Sequence, residues 1–286
     1  RVVNEYGVGY IKMDYNIEPG IGTELYAESV GQGMLEHEKA YLAWLDDVFK
    51  RYPDLVIENC SSGGLRIDYA LLSRYSIQST SDQEDYRNYA TISANAISGI
   101  TPEQAAVWSY PMRVSLEGQN ASTQRALCDS AKEEVIYNMI NTMHLRIHQS
   151  GHLTELSKER LDLVKEGLRV YKNIRNDIKN ALPFWPLDLA ENEDEWLCAG
   201  LQTTDRAYLS VWKRKMEGKR DNRKNTENDN WFEIPLHNLP FAKSDLKVSL
   251  LYPETEPVPF ELNNGILKIA LEKDVMARMF VIEPKQ

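Results

Sequence analysis

The sequence predicts an α/β fold, the C-terminal part of a (β/α)8 TIM barrel of about five strand–helix units, followed by an antiparallel β-sandwich. Three observations carry this. Short apolar runs alternate with stretches of helical period over residues 1–180, the pattern of a parallel sheet with crossover helices. The apolar runs pass at once into polar or glycine-rich segments, as barrel strands do at their C-terminal ends. After about residue 181 the texture changes to short alternating runs, which read as antiparallel strands.

The strands come first. "GVGYIKMD" (8–14), "DLVIENCS" (54–61), "SIQSTSD" (76–82), "QAAVWSY" (104–110) and "HLRIHQSG" (144–151) each have the length and composition of a strand. Helical period separates them. It appears in 34–52, where Leu35, Ala40, Leu42, Leu45 and Phe49 make one broad face, and again in 66–73, 85–97, 122–143 and 154–176. "PGIGTE" (19–24) lacks the third glycine of a dinucleotide fingerprint, so the barrel is preferred to a doubly wound sheet. "ALPFWPLD" reads as a linker, which sets domains at 1–180 and 181–286. Within the second, "KRKMEGKRDNRKNTENDN" (213–230) has no apolar cluster and reads as a solvated loop.

Composition narrows the function. The chain has 286 residues, 42% apolar and 27% charged, with a formal net charge of −10. An acidic chain with no basic stripe is not a nucleic-acid binder. No apolar run reaches the roughly 18 residues of a membrane span. Cys60, Cys128 and Cys198 are sparse and far apart, which gives no disulfide framework and points to a reducing, cytoplasmic setting. His144 and His148 lack the intervening Glu of a zinc helix, so neither metal nor cofactor is expected. The N-terminal stretch has no signal region and no initiator Met. The chain is therefore expected to begin inside a longer protein or to have been processed.

Three successive strand ends are unusually polar: Lys12-Met13-Asp14-Tyr15-Asn16, then Glu58 through Arg66 with Gly63 and Gly64, then Ser79-Thr80-Ser81-Asp82. Lys12 and Asp14 are two apart, so they share one face of their strand, expected to be buried. An ion pair would suffice to explain them. Two aspartates delivered by neighbouring strand ends are also what glycoside hydrolysis needs. One attacks the anomeric carbon and the other protonates the leaving oxygen; a gap of roughly 5–5.5 Å gives retention.

These motifs resemble those of glycoside hydrolase family 36, the bacterial α-galactosidase (melibiase) family. Its K-W-D-M-N is matched by Lys12-Met13-Asp14-Tyr15-Asn16, its C-x-x-G-x-x-R by Cys60, Gly63 and Arg66, and its S-D-x-x-D by Ser81, Asp82 and Asp85, in the same order. The resemblance implies a retaining exo-glycosidase acting on terminal α-galactosyl residues of sugars such as melibiose and raffinose. It implies Asp14 as nucleophile and Asp82 as general acid/base. Lys12 would donate to galactose hydroxyls, with Cys60 and Gly63 walling the sugar near C2 and Asn16, Arg66 and Ser79 completing the binding set. Asp85 reads as a helix cap, and Trp108 as either a sugar platform or a core aromatic.

The chain departs from the pattern in three ways. Met13 and Tyr15 replace the family's Trp and Met, and Ser79 stands where many members have Trp. A serine leaves room beside C2, so α-N-acetylgalactosaminidase is the nearest alternative. The nucleophile's strand is also the first in the chain, although it is the fourth in the family's barrel. The partner needed is therefore the N-terminal part of the same protein, which carries the family's acidic pair for O4 and O6; the full-length form is expected to be a homo-oligomer. A fragment inactive without those strands is the rival reading from outside enzymology.

Overall fold

The computed structural model describes residues 1–17, 22–111, 132–151, 153–222, 231–241 and 245–285. A short helix α1 (Val2–Tyr6) leads into β1 (Tyr10–Asp14), α2 (Val30–Arg51), β2 (Val56–Cys60) and a one-turn α3 (Tyr69–Leu72). Then come β3 (Ile77–Ser79), α4 (Tyr86–Ala96), β4 (Ala105–Ser109), α5 (Lys132–Thr142), β5 (Arg146–Gln149) and α6 (Lys158–Ile178). The five strands hydrogen-bond in chain order, and the pairs β1–β2, β2–β3 and β3–β4 are parallel. Among the described residues this is an open sheet with β1 and β5 as its edges. The start of the helix expected over 122–143, together with Cys128 and His152, lies outside the described residues.

By its contacts the chain divides into two compact units, Arg1–Asp82 with Gln104–Ala106, and Gln83–Glu103 with Val107–Gln286. In the first unit, Ser29 caps α2 by accepting from Gln32 N at 3.2 Å, so the helix starts earlier than its apolar period alone indicates. Lys50 and Arg51 close it, cations suited to a helix C-terminus. Leu45 and Val48 of α2 pack with Leu55, Ile57, Leu71 and Tyr75, and Ile11 and Met13 join this cluster. One face of β1 and β2 is thereby covered.

Register fixes what the other face carries. Lys12 lies beside Glu58, and Asp14 beside Cys60; Glu58 lies beside Ile77. Side chains alternate along a strand, so Tyr10, Lys12, Asp14, Glu58, Cys60, Ile77 and Ser79 share one face. The sequence reading puts Lys12 and Asp14 on a buried face, and this is corrected: Tyr10, Lys12 and Asp14 are exposed, while Ile11 and Met13 are half-buried. The reason is position, since β1 is an edge strand and α2 packs on its Ile11–Met13 side.

The second unit holds the remaining strands, β6 (Leu182–Phe184), β7 (Trp196–Gln202), β8 (Ala207–Arg214), β9 (Trp231–Pro235), β10 (Leu246–Tyr252), β11 (Phe260–Asn263), β12 (Ile266–Ala270) and β13 (Val275–Pro284). They form a five-stranded sheet in the order β10-β13-β8-β7-β6 and a three-stranded sheet β11-β12-β9, with antiparallel pairing. Trp196, Leu209 and Phe280 from the larger sheet meet Phe232, Ile234 and Leu267 from the smaller in one apolar cluster. Trp196 stacks on Phe232 with ring centroids 4.3 Å apart. Helix α5 is pinned to β13 where Arg278 donates to both oxygens of buried Glu133, at 2.8 and 2.9 Å. The stretch read as a Pro-rich linker contains β6. Pro183 fits there because, among the described residues, β6 is an edge strand paired with β7, where a missing N–H is tolerated.

Candidate active site

The ends of β1, β2 and β3 are tied together by the turn after β2. Ser62 and Gly63 both have positive φ, 42° and 77°, which turns the Ser62 N–H back toward β1. That N–H donates to Asn16 Oδ1 at 2.8 Å and lies 3.4 Å from Asp14 Oδ1. The Ser62 hydroxyl adds a bond to Asn16 Oδ1 at 3.3 Å. Gly63 bridges to Ser81. A Cβ on Gly63 would sit 2.6 Å from Ser81 Cα and 2.7 Å from Asp82 N, and one on Gly64 would sit 2.4 Å from the Thr80 carbonyl oxygen. The space in front of both glycines is thus filled by the backbone that continues β3, which only a residue without Cβ permits. One residue of this turn touches Asp14 and the next abuts Asp82, which is exposed.

Behind the aspartates, Cys60 and Ser79 are each about 1% exposed. Burial pushes the Cys60 thiol up, although the Ser79 hydroxyl and the Gly63 backbone N–H beside it pull the other way. A thiol with that balance is a packing group and not a nucleophile.

Arg66, predicted to bind substrate, reaches back to the segment after β1. Its Nε donates to the Tyr15 carbonyl at 3.2 Å, another nitrogen donates to that of Ile17 at 3.1 Å, and Glu38 lies 3.5 Å away. The guanidinium sits 4.0 Å from the centre of the Tyr15 ring. Tyr15 is held in turn by His37, whose Nε2 is 2.9 Å from its hydroxyl. Arg66 therefore straps residues 15–17, directly downstream of Asp14.

Glu58 is the residue that sequence reasoning missed. It is buried, with about 1% exposure, and Lys12 Nζ lies 3.2 Å from its Oε1. The Tyr10 hydroxyl donates to its other oxygen. The available signal was period two: Glu58 and Cys60 share a face just as Lys12 and Asp14 do. Asp85 caps α4, accepting from Arg87 N at 2.9 Å, as expected of it. Trp108 meets His148 edge-on with centroids 5.1 Å apart. Among the described residues no His/Cys/Asp/Glu group could hold a metal ion, and no helix is long and apolar enough to cross a membrane.

A family model described as Melibiase matches residues 1–180. No curated protein matches the chain. Several solved structures share the fold. A variant of the GH36 alpha-galactosidase AgaA from Geobacillus stearothermophilus, in complex with raffinose, is similar at TM-score 0.69 and 16% identity, over 99% of this chain and 36% of that one. The alpha-galactosidase from Lactobacillus brevis is similar at TM-score 0.66 and 15% identity, over 100% of this chain and 37% of that one. The galactosidase domain of the alpha-galactosidase-sucrose kinase AgaSK is similar at TM-score 0.66 and 17% identity, over 97% and 34%. The chain spans about a third of the length of these structures.

Proposed function

The chain belongs to the melibiase family, and from that premise we propose that it carries the two catalytic aspartates of a retaining exo-α-galactosidase. Asp14 attacks the anomeric carbon while Asp82 protonates the leaving glycosidic oxygen. Asp82 then deprotonates a water that releases galactose from Asp14. Lys12 donates to the sugar hydroxyls from the same face. Cys60 and Gly63 wall the sugar near C2, with Ser79 behind Cys60. The Ser62 N–H lies against the Asp14 carboxylate and is itself bound by Asn16, which completes the sugar-binding set, and Arg66 steadies the segment that follows Asp14.

The observation that carries this reading is the turn itself. Ser62 contacts Asp14 and Gly63 packs on Asp82 N, so one tight turn lies against both aspartates. The exposed Lys12–Asp14 face and the edge position of β1 among the described residues fit a barrel with further strands, which would also supply the acidic pair for O4 and O6. Residues 1–180 are then the catalytic barrel portion, and the β-sandwich follows it. The alternative substrate, an α-N-acetylgalactosaminide, depends on room at Ser79; that side chain is about 1% exposed, which favours the galactoside.

The test is hydrolysis of paired nitrophenyl α-galactoside and α-N-acetylgalactosaminide by the full-length parent protein. The expected result is a higher kcat/KM for the galactoside. Turnover of neither sugar would remove the proposal, and a preference for the acetamido sugar would replace it with the alternative.

A further inference from the structure

We propose that Glu58 is a positioning residue that holds Lys12 in place for the sugar and keeps its ammonium from closing onto Asp14. This rests on the α-galactosidase reading above. The face shared by β1 and β2 carries one cation, Lys12, and two carboxylates, Asp14 and Glu58. The Glu58 side chain is 2% exposed and Lys12 is 32% exposed, with 3.2 Å between Nζ and Oε1. The pair is therefore anchored at its buried end, and its cation reaches toward the open side.

A buried carboxylate is costly unless it is paired. Glu58 is matched on both oxygens, by Lys12 and by the Tyr10 hydroxyl. Tyr10 and Lys12 lie on one face of the same strand, so they clamp Glu58 from two successive positions. The Glu58 carboxylate is thus fixed, and it fixes the ammonium in turn. The ammonium is held 3.2 Å from Glu58 Oε1 as an ion pair. Without Glu58, the remaining anion next along that face of β1 is Asp14, two residues away. Lys12 on a flexible four-carbon stem would move to it. The nucleophile would then be tied up by a lysine, and the sugar would lose a donor.

The experiment uses full-length protein and compares wild type, Glu58→Gln, Lys12→Met and the double variant. Glu58→Gln preserves size while removing the charge and replacing one acceptor oxygen with an NH2 donor. On nitrophenyl α-galactoside it should raise KM about tenfold or more, with a smaller loss in kcat, because the donor lost contributes to binding in both ground and transition states. In the Lys12→Met background the same change should have almost no further effect, since residues acting through one another are not additive. Tyr10→Phe, which leaves the ion pair intact, should move KM the same way by a smaller factor. A fall in melting temperature with unchanged KM in Glu58→Gln would make Glu58 a structural residue only and overturn the proposal; so would full additivity with Lys12→Met.

A second readout does not depend on activity. Lys12 released from Glu58 should react several-fold faster with an amine-directed acylating reagent, measured by mass spectrometry of the Lys12 peptide. An unchanged rate would contradict the proposal. If wild type hydrolyses no α-galactoside, the functional reading fails, and the labelling result still decides whether Glu58 restrains Lys12.

Discussion

Ser62 donates its backbone N–H to Asn16 Oδ1 at 2.8 Å, and that same N–H stands 3.4 Å from Asp14 Oδ1. The next residue, Gly63, leaves no room for a side chain against Ser81 and Asp82. Two strand ends carrying aspartates are thus locked through a single turn.

Gly63→Ala tests that lock. The new methyl would meet backbone at 2.6–2.7 Å, at a φ of 77°, so the turn or the Asp82 segment must shift. The backbone conformation alone costs about 1 kcal/mol or more for a non-glycine residue. The expected outcome is a melting temperature lowered by several degrees and kcat reduced about a hundredfold, since small displacements of a reacting group are costly. Thermal unfolding and steady-state kinetics on the full-length protein check both.

Asp82→Asn should discriminate by leaving group. Substrates with poor leaving groups need protonation in the first step and should slow by several orders of magnitude. Activated aryl galactosides should slow far less in that step. Equal losses on both would remove Asp82 as the acid.

His144 gives a pH dependence of stability. It is buried beneath β8 residue Ser210, with Nε2 3.5 Å from the Ser210 hydroxyl. Burial lowers it from 6.5 to about 3. The imidazole is therefore neutral in the folded protein and protonates freely only on unfolding. Its contribution is fully present above pH 6.5 and is lost as pH falls toward 3, on the order of 5 kcal/mol in all. His144→Gln should flatten the decline in melting temperature over that window. An identical decline in both proteins would show that other groups set the acid limb.

Much of the fold was legible because it is written in local period. The strands around 8–14, 54–61, 76–82, 104–110 and 144–151 were found within a few residues of β1 to β5. The α2 boundary moved because a cap, Ser29, outweighs the first apolar position. β6 was missed because Pro183 argues against a strand unless its edge position is known. At the site, alternation alone assigns Lys12 and Asp14 to one face of their strand. What could not be read is cross-strand register. Register makes Glu58 the partner of Lys12, sends Arg66 back to Tyr15 and Ile17, and places the Gly63–Gly64 pair against Thr80, Ser81 and Asp82. Each of these contacts joins residues far apart in sequence, and no local pattern encodes them.

The most direct test of the account is covalent trapping. Full-length protein would be incubated with a fluorinated galactosyl fluoride that forms the glycosyl-enzyme quickly and releases it slowly, then digested and analysed by mass spectrometry. A retaining mechanism with an aspartate nucleophile predicts one galactosyl adduct, on the peptide containing Asp14 and at that residue, and none in Asp14→Asn. An adduct on any other residue, or an active wild-type enzyme that yields none and inverts the anomeric configuration, would contradict the assignment of Asp14.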